Sequence, residues 1–219
     1  MDAGEILAAS RIVPVATIHQ VDQGEALAEC LCDAGMSSIE ITLRSDAALA
    51  TIERIAHKLP QMTIGVGSIR TAGQMKQAHQ AGAQFAVSPG CSETLLSMAD
   101  ELAMPFVPGA TTPSEMIALL DRGYRLQKFF PAQQAGGLNY LKAIAKPLPE
   151  VRFFPTGGID ATLAAEYLAF DKVACIGGSW FISDDKVAAG DFQSISNSVK
   201  QILTELSIFP VFGKNSLTL

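Results

Sequence analysis

Residues 105–130 read PFVPGATTPSEMIALLDRGYRLQKFF. A short β-rich run, Pro105–Val107, leads into Thr112-Pro113-Ser114-Glu115. That is a helix start: threonine caps, proline takes the first helical position, and a glutamate at the third can bond back to the cap. The helix stops at Asp121-Arg122-Gly123, where glycine takes the left-handed turn that ends many helices. A second β-rich run, Arg125–Phe130, follows at once. Strand, helix and strand in one short stretch describe a parallel crossover unit.

The same unit recurs on both sides. Helix starts are expected at Asp22 (with Glu25), Ser45, Thr71 (with Gln74), Ser92 and Thr112, at intervals of 23, 26, 21 and 20 residues. The next start, Asp160, lies 48 residues on, twice the unit, with Gly136-Gly137 at the midpoint. A further helix over 138–146 fills that gap, and Asp191 opens the last one. Gly35 and Gly82 stand at helix ends as Gly123 does. The intervening β-rich runs are Ile12–Ile18, Ser38–Leu43, Met62–Val66, Gln84–Val87, Pro105–Val107, Arg125–Phe130, Val151–Phe154 and Val173–Ile176. Eight alternating units predict an α/β fold, a single (β/α)8 TIM barrel over residues 1–206, with 207–219 a loosely ordered tail. A doubly wound open sheet is the rival; it rarely has eight such even units.

Composition narrows the function classes. The chain has 219 residues, 48% hydrophobic and 17% charged, against roughly 25% charged in an average soluble protein. A net charge of −6 argues against a nucleic-acid partner, which needs a basic footprint. No apolar run is long enough to span a membrane, and the first residues lack a basic segment before an apolar one, so no membrane partner and no signal peptide are expected. Four scattered cysteines read as free thiols of a reducing, cytoplasmic compartment. His19, His57 and His79 share no ligand spacing with them, so no metal site is expected.

In a barrel of this kind, chemistry sits at the C-terminal ends of the strands. The second strand reads Glu40-Ile41-Thr42-Leu43-Arg44 at its end. Strand alternation turns Ile39, Ile41 and Leu43 toward the helices and Glu40, Thr42 and Arg44 toward the axis. An acid and a guanidinium there are costly unless paired or used, and mutual pairing or solvation at the strand end is the structural alternative. Lys128, alone among nine lysines, is embedded in an apolar strand. Desolvation disfavours an ammonium, and a neutral amine can form a Schiff base with a ketone. The alternative is a lysine reaching out to water from the strand end. Two glycine pairs, Thr156-Gly157-Gly158 and Gly177-Gly178-Ser179, are expected in the loops after the last two strands. Barrels often hold a phosphate there, on backbone N–H groups. Gly65-Val66-Gly67-Ser68 ends the third strand and offers a hydroxyl near a ligand.

Together, Glu40–Arg44, Gly65–Ser68, Lys128-Phe129-Phe130-Pro131-Ala132, Pro155–Ile159 and Gly177–Trp180 resemble the 2-keto-3-deoxy-6-phosphogluconate aldolase family, whose members often also cleave 4-hydroxy-2-oxoglutarate. The resemblance covers about residues 5–205. It implies a class I aldolase, without metal or cofactor, assembled as a homotrimer. Lys128 would form the imine with the pyruvyl ketone, and Glu40 would be the acid/base. Arg44 and Ser68 would hold the carboxylate, Thr156 would lie near the aldehyde carbon, and Gly157, Gly158, Gly178 and Ser179 would hold the phosphate. This chain departs from the family in Val66 and Ser68, where alanine and threonine are usual, and in Gln133-Gln134, where an acid is common. Serine lacks a methyl, so looser carboxylate positioning is expected. Rival readings are an isomerase-type phosphate barrel, an aldolase for the galactonate epimer, and a non-catalytic barrel that binds a phosphorylated metabolite.

Overall fold

The computed structural model describes residues 3–7 and 10–209. After a short helix α1 (Ala3–Leu7), strands and helices alternate: β1 (Ile12–Ala16), α2 (Val21–Asp33), β2 (Ser38–Thr42), α3 (Ala48–Lys58), β3 (Thr63–Gly67) and α4 (Ala72–Gln80). There follow β4 (Phe85–Val87), α5 (Glu93–Glu101), β5 (Phe106–Val107), α6 (Pro113–Asp121), β6 (Leu126–Phe129) and α7 (Gly137–Ala145). The chain ends with β7 (Arg152–Pro155), α8 (Ala161–Leu168), β8 (Ile176–Gly178), α9 (Asp184–Ala188) and α10 (Phe192–Leu206).

All strand pairs are parallel. Six strands join in the order β5-β4-β3-β2-β1-β8, and β6 pairs with β7. Bridges from Gly109 to Lys128, and from Phe153 and Thr156 to Val173 and Gly177, close the two gaps and complete the barrel. The core has two layers. Ile39, Ile41, Ile64, Val66, Ala86, Phe129 and Ile176 face the helices, while Val13, Phe85, Val87, Val107, Phe154 and Cys175 fill the interior with Ala3 and Leu7 of α1.

The expected helix caps divide. Thr71, Ser92, Asp160 and Asp191 each accept a backbone N–H of the following turn, and Thr112 with Glu115 forms a full capping box. Asp22 and Ser45 do not cap: α2 and α3 begin after Gln20 and Ala47 without a side-chain bond. Asp22 instead pairs with Arg54, and Ser45 donates to the Ile18 carbonyl, so longer-range partners win. Gly35, Gly82 and Gly123 all have positive φ, as helix stops.

Three expectations need correction. There are ten helices among the described residues rather than eight; α1 and α9 are too short for periodicity to reveal. β8 runs Ile176–Gly178, not Val173–Ile176, so Gly177 and Gly178 belong to the strand and not to a loop. β2 ends at Thr42, which puts Arg44 beyond the strand and exposed rather than on its axial face. Of the expected tail, residues 210–219 lie outside the described residues. Among the described residues no helix is long and apolar enough to cross a membrane.

Candidate active site

Lys128 is fixed by its backbone before its side chain acts. Its N–H donates to the Pro108 carbonyl at 2.8 Å and its carbonyl accepts from Ala110 at 2.9 Å, while β7 pairs alongside at Phe154. Its strand neighbours Gln127 and Phe129 face the helices: Gln127 donates to the Met116 and Tyr124 carbonyls, and Phe129 packs in the outer core. Alternation then turns Lys128 to the axis, where its side chain is 5% exposed. That burial removes the alternative of a lysine reaching for water.

Glu40 comes from the opposite wall. Its carboxylate is 1% exposed, and one oxygen lies 3.5 Å from the Lys128 ammonium nitrogen. Among the described residues neither carboxylate oxygen has a hydrogen-bond partner, so the lysine is the group that offsets its buried charge. Gly67 makes the space: a Cβ there would fall 2.0 Å from the carboxylate. The Phe130 ring lies 5.3 Å from the lysine nitrogen and adds cation–π contact. Sequence reading gives Phe130 no role of its own, although its i+2 spacing from Lys128 carries the signal.

Arg44 does not pair with Glu40. Its Nε donates to the Ser68 hydroxyl at 2.9 Å, joining the ends of β2 and β3 at the rim. Ser68 holds a left-handed φ of 59°, unusual without glycine, and this turns its hydroxyl to Arg44. The Ser68 hydroxyl is therefore held by Arg44.

On the far side, Thr156 is buried beyond β7 with a hydroxyl that has no partner among the described residues; a Cβ on Gly177 would fall 2.5 Å from it. Gly157 and Gly158 follow with φ of 104° and 72°, which glycine alone adopts freely. The turn after β6 braces them: Gln133 N–H donates to the Gly157 carbonyl, and Gln133 Nε2 to the Tyr167 hydroxyl at 3.0 Å. Ser179 is exposed just past β8. Gly178 has another reason to be glycine: the Trp180 ring lies 2.0 Å from where its Cβ would be. Thus Lys128 and Glu40 meet, Arg44 and Ser68 meet, and the glycine loops adjoin Thr156. Such a set can add an amine to a ketone, move a proton at the same carbon chain, and hold anions at two ends.

The comparisons agree with that chemistry. The family model described as "Aldolase: KDPG and KHG aldolase" matches residues 3–198. The chain is 39% identical over 199 residues to the KHG/KDPG aldolase of Escherichia coli K12, covering 91% of this chain and 93% of that one. It is similar to the KDPG aldolase of Legionella pneumophila, captured with pyruvate as a covalent carbinolamine, at a TM-score of 0.90 and 37% identity over 92% of this chain and 98% of that one. It is also similar to the 2-keto-3-deoxy-6-phosphogluconate aldolase of Zymomonas mobilis with 3-phosphoglycerate, at 0.88 and 32% over 100% and 99%. With nearly the whole barrel matched, the chain belongs to the KDPG and KHG aldolase family of carbon–carbon lyases.

Proposed function

We propose that this chain cleaves 2-keto-3-deoxy-6-phosphogluconate to pyruvate and glyceraldehyde 3-phosphate, and also cleaves 4-hydroxy-2-oxoglutarate to pyruvate and glyoxylate, through an imine on Lys128. The observation that carries the reading is the buried Lys128–Glu40 pair at 3.5 Å, above an interior filled with hydrocarbon.

The steps follow from the groups present. The Lys128 ammonium passes a proton to Glu40, the freed amine adds to the C2 ketone, and Glu40 gives that proton back to the carbinolamine hydroxyl, on which water leaves. Glu40, ionised again, takes the proton of the C4 hydroxyl. The C3–C4 electron pair moves into the iminium to give an enamine, and the C4 oxygen leaves as the aldehyde. Glu40 returns a proton to C3, and water releases pyruvate. The carboxylate also stabilises the cationic iminium in a dry site. Arg44 and Ser68 hold the pyruvyl carboxylate as a charged donor and a hydroxyl already bonded together. Thr156 lies toward the aldehyde carbon. The backbone N–H groups at Gly157, Gly158, Gly178 and Ser179 hold the phosphate. The resemblance further supports a single barrel domain over residues 1–206, a homotrimer and a cytoplasmic setting.

Borohydride added with pyruvate is the test. One three-carbon adduct on the peptide containing Lys128, with turnover of the phosphorylated substrate in its absence, is expected; a label on another lysine would overturn the assignment.

A further inference from the structure

Thr17, just past the end of β1, has a hydroxyl whose hydrogen bonding is decided by its neighbour. Thr42 has one hydroxyl proton and donates it to the Ala16 carbonyl at 3.1 Å. Thr17 Oγ1 lies 2.9 Å from Thr42 Oγ1. With the Thr42 proton directed to Ala16, Thr17 is the donor to Thr42. Its oxygen then keeps lone pairs that no other group among the described residues engages.

Its position follows from register. Ile12 and Ala16 pack in the outer core, and Val13 packs inside the barrel. Alternation therefore turns Thr17 inward with Val13 and Val15. Val15 pairs with Glu40, so Thr17 stands one inward position nearer the mouth than the carboxylate. On the other side of β1, Pro14 pairs with Gly178. Thr17 thus sits between the strand that carries Glu40 and the strand that leads to the phosphate end.

We infer that Thr17 is a specificity-determining residue, whose oxygen accepts a hydrogen bond from the C5 hydroxyl of the phosphorylated substrate. This rests on the functional reading above. The C4 hydroxyl must give its proton to Glu40, so an acceptor placed further toward the phosphate meets the next hydroxyl along the chain. 4-Hydroxy-2-oxoglutarate has no hydroxyl there, so it cannot use this contact. Thr17 is half-buried at the mouth, and an acceptor there that one substrate matches and the other leaves unmatched discriminates between them.

Thr17→Val keeps the shape and removes the acceptor. The full-length variant should lose about tenfold in kcat/KM on the phosphorylated substrate, equivalent to ~1.4 kcal/mol. It should change less than threefold on 4-hydroxy-2-oxoglutarate and trap pyruvate normally with borohydride. Thr17→Ser should retain wild-type behaviour. The wild-type enzyme should lose the same factor on the 5-deoxy analogue, and Thr17→Val should lose nothing more on it. Equal losses on both natural substrates, or a further loss on the 5-deoxy analogue, would overturn the contact and leave Thr17 a structural residue. A wild-type enzyme that traps pyruvate but does not cleave the phosphorylated substrate would overturn the functional reading first, and this inference with it.

Discussion

Within one strand, β3 shows the two halves of the barrel interior side by side. Gly65 leaves room for the Phe85 ring, and Gly67, two residues on, leaves room for the Glu40 carboxylate. The lower interior is hydrocarbon: Phe85, Val13 and Val107 pack beneath the mouth, with Ala3 and Leu7 in the same cluster. The upper interior holds Glu40, Lys128, Thr42 and Thr156, all buried. The lower half gains from burial, whereas the upper half carries a desolvation cost that only pairing and use offset. Cys175 marks the border; its thiol is pushed up by burial and then by the Glu40 charge, so it stays protonated. Stability is built below and reactivity above.

That division predicts which changes break which property. Lys128→Arg keeps the positive charge yet cannot form an imine, and should abolish turnover in a protein that still unfolds cooperatively; measurable aldol cleavage would break the comparison at its top end. Glu40→Gln should lower kcat by about 10²–10⁴-fold, the usual range for losing a general acid/base. A drop under threefold in steady-state assays would assign the proton to another group.

Phe85→Ala acts below. It should cost about 3–5 kcal/mol of unfolding free energy, as large-to-small changes in closed cores do. Urea titration measures this, and borohydride trapping of the folded fraction should be retained. Ser179→Asp sharpens the comparison at the phosphate end. A carboxylate there should reduce kcat/KM on the phosphorylated substrate by about tenfold, ~1.4 kcal/mol, with little change on 4-hydroxy-2-oxoglutarate. It is a cleaner probe than Gly178→Val, whose side chain would collide with Trp180.

The smallest effect belongs to the outer shell. Thr112→Ala removes the cap of α6 and should cost about 1 kcal/mol with activity unchanged. Glu115 in the same box is held below the usual carboxylate range, first by the Thr111 N–H and then by Thr112. Its contribution is complete above the ordinary glutamate range and is lost as pH falls through the lowered value. An acid titration of stability in Glu115→Gln against wild type should therefore converge at low pH, where the wild-type carboxyl is neutral as the amide is.

The barrel was legible in the sequence because its signals are local. The Thr112–Glu115 box, the stops at Gly35, Gly82 and Gly123, and the apolar runs between them depend on neighbours within one turn or one strand. Local signals also placed Glu40 on an inward face and singled out Lys128 as the lysine embedded in an apolar strand, since both readings need only the strand. They failed where a partner came from elsewhere: Asp22 pairs with Arg54 and Ser45 with Ile18, and neither caps a helix. Tertiary structure alone decided that Lys128 faces Glu40 at 3.5 Å across the axis, that Arg44 bonds Ser68 instead of Glu40, and that Thr17 meets Thr42 at 2.9 Å. Those facts depend on barrel closure and inter-strand register, which bring together residues far apart in the chain and which no window of sequence contains.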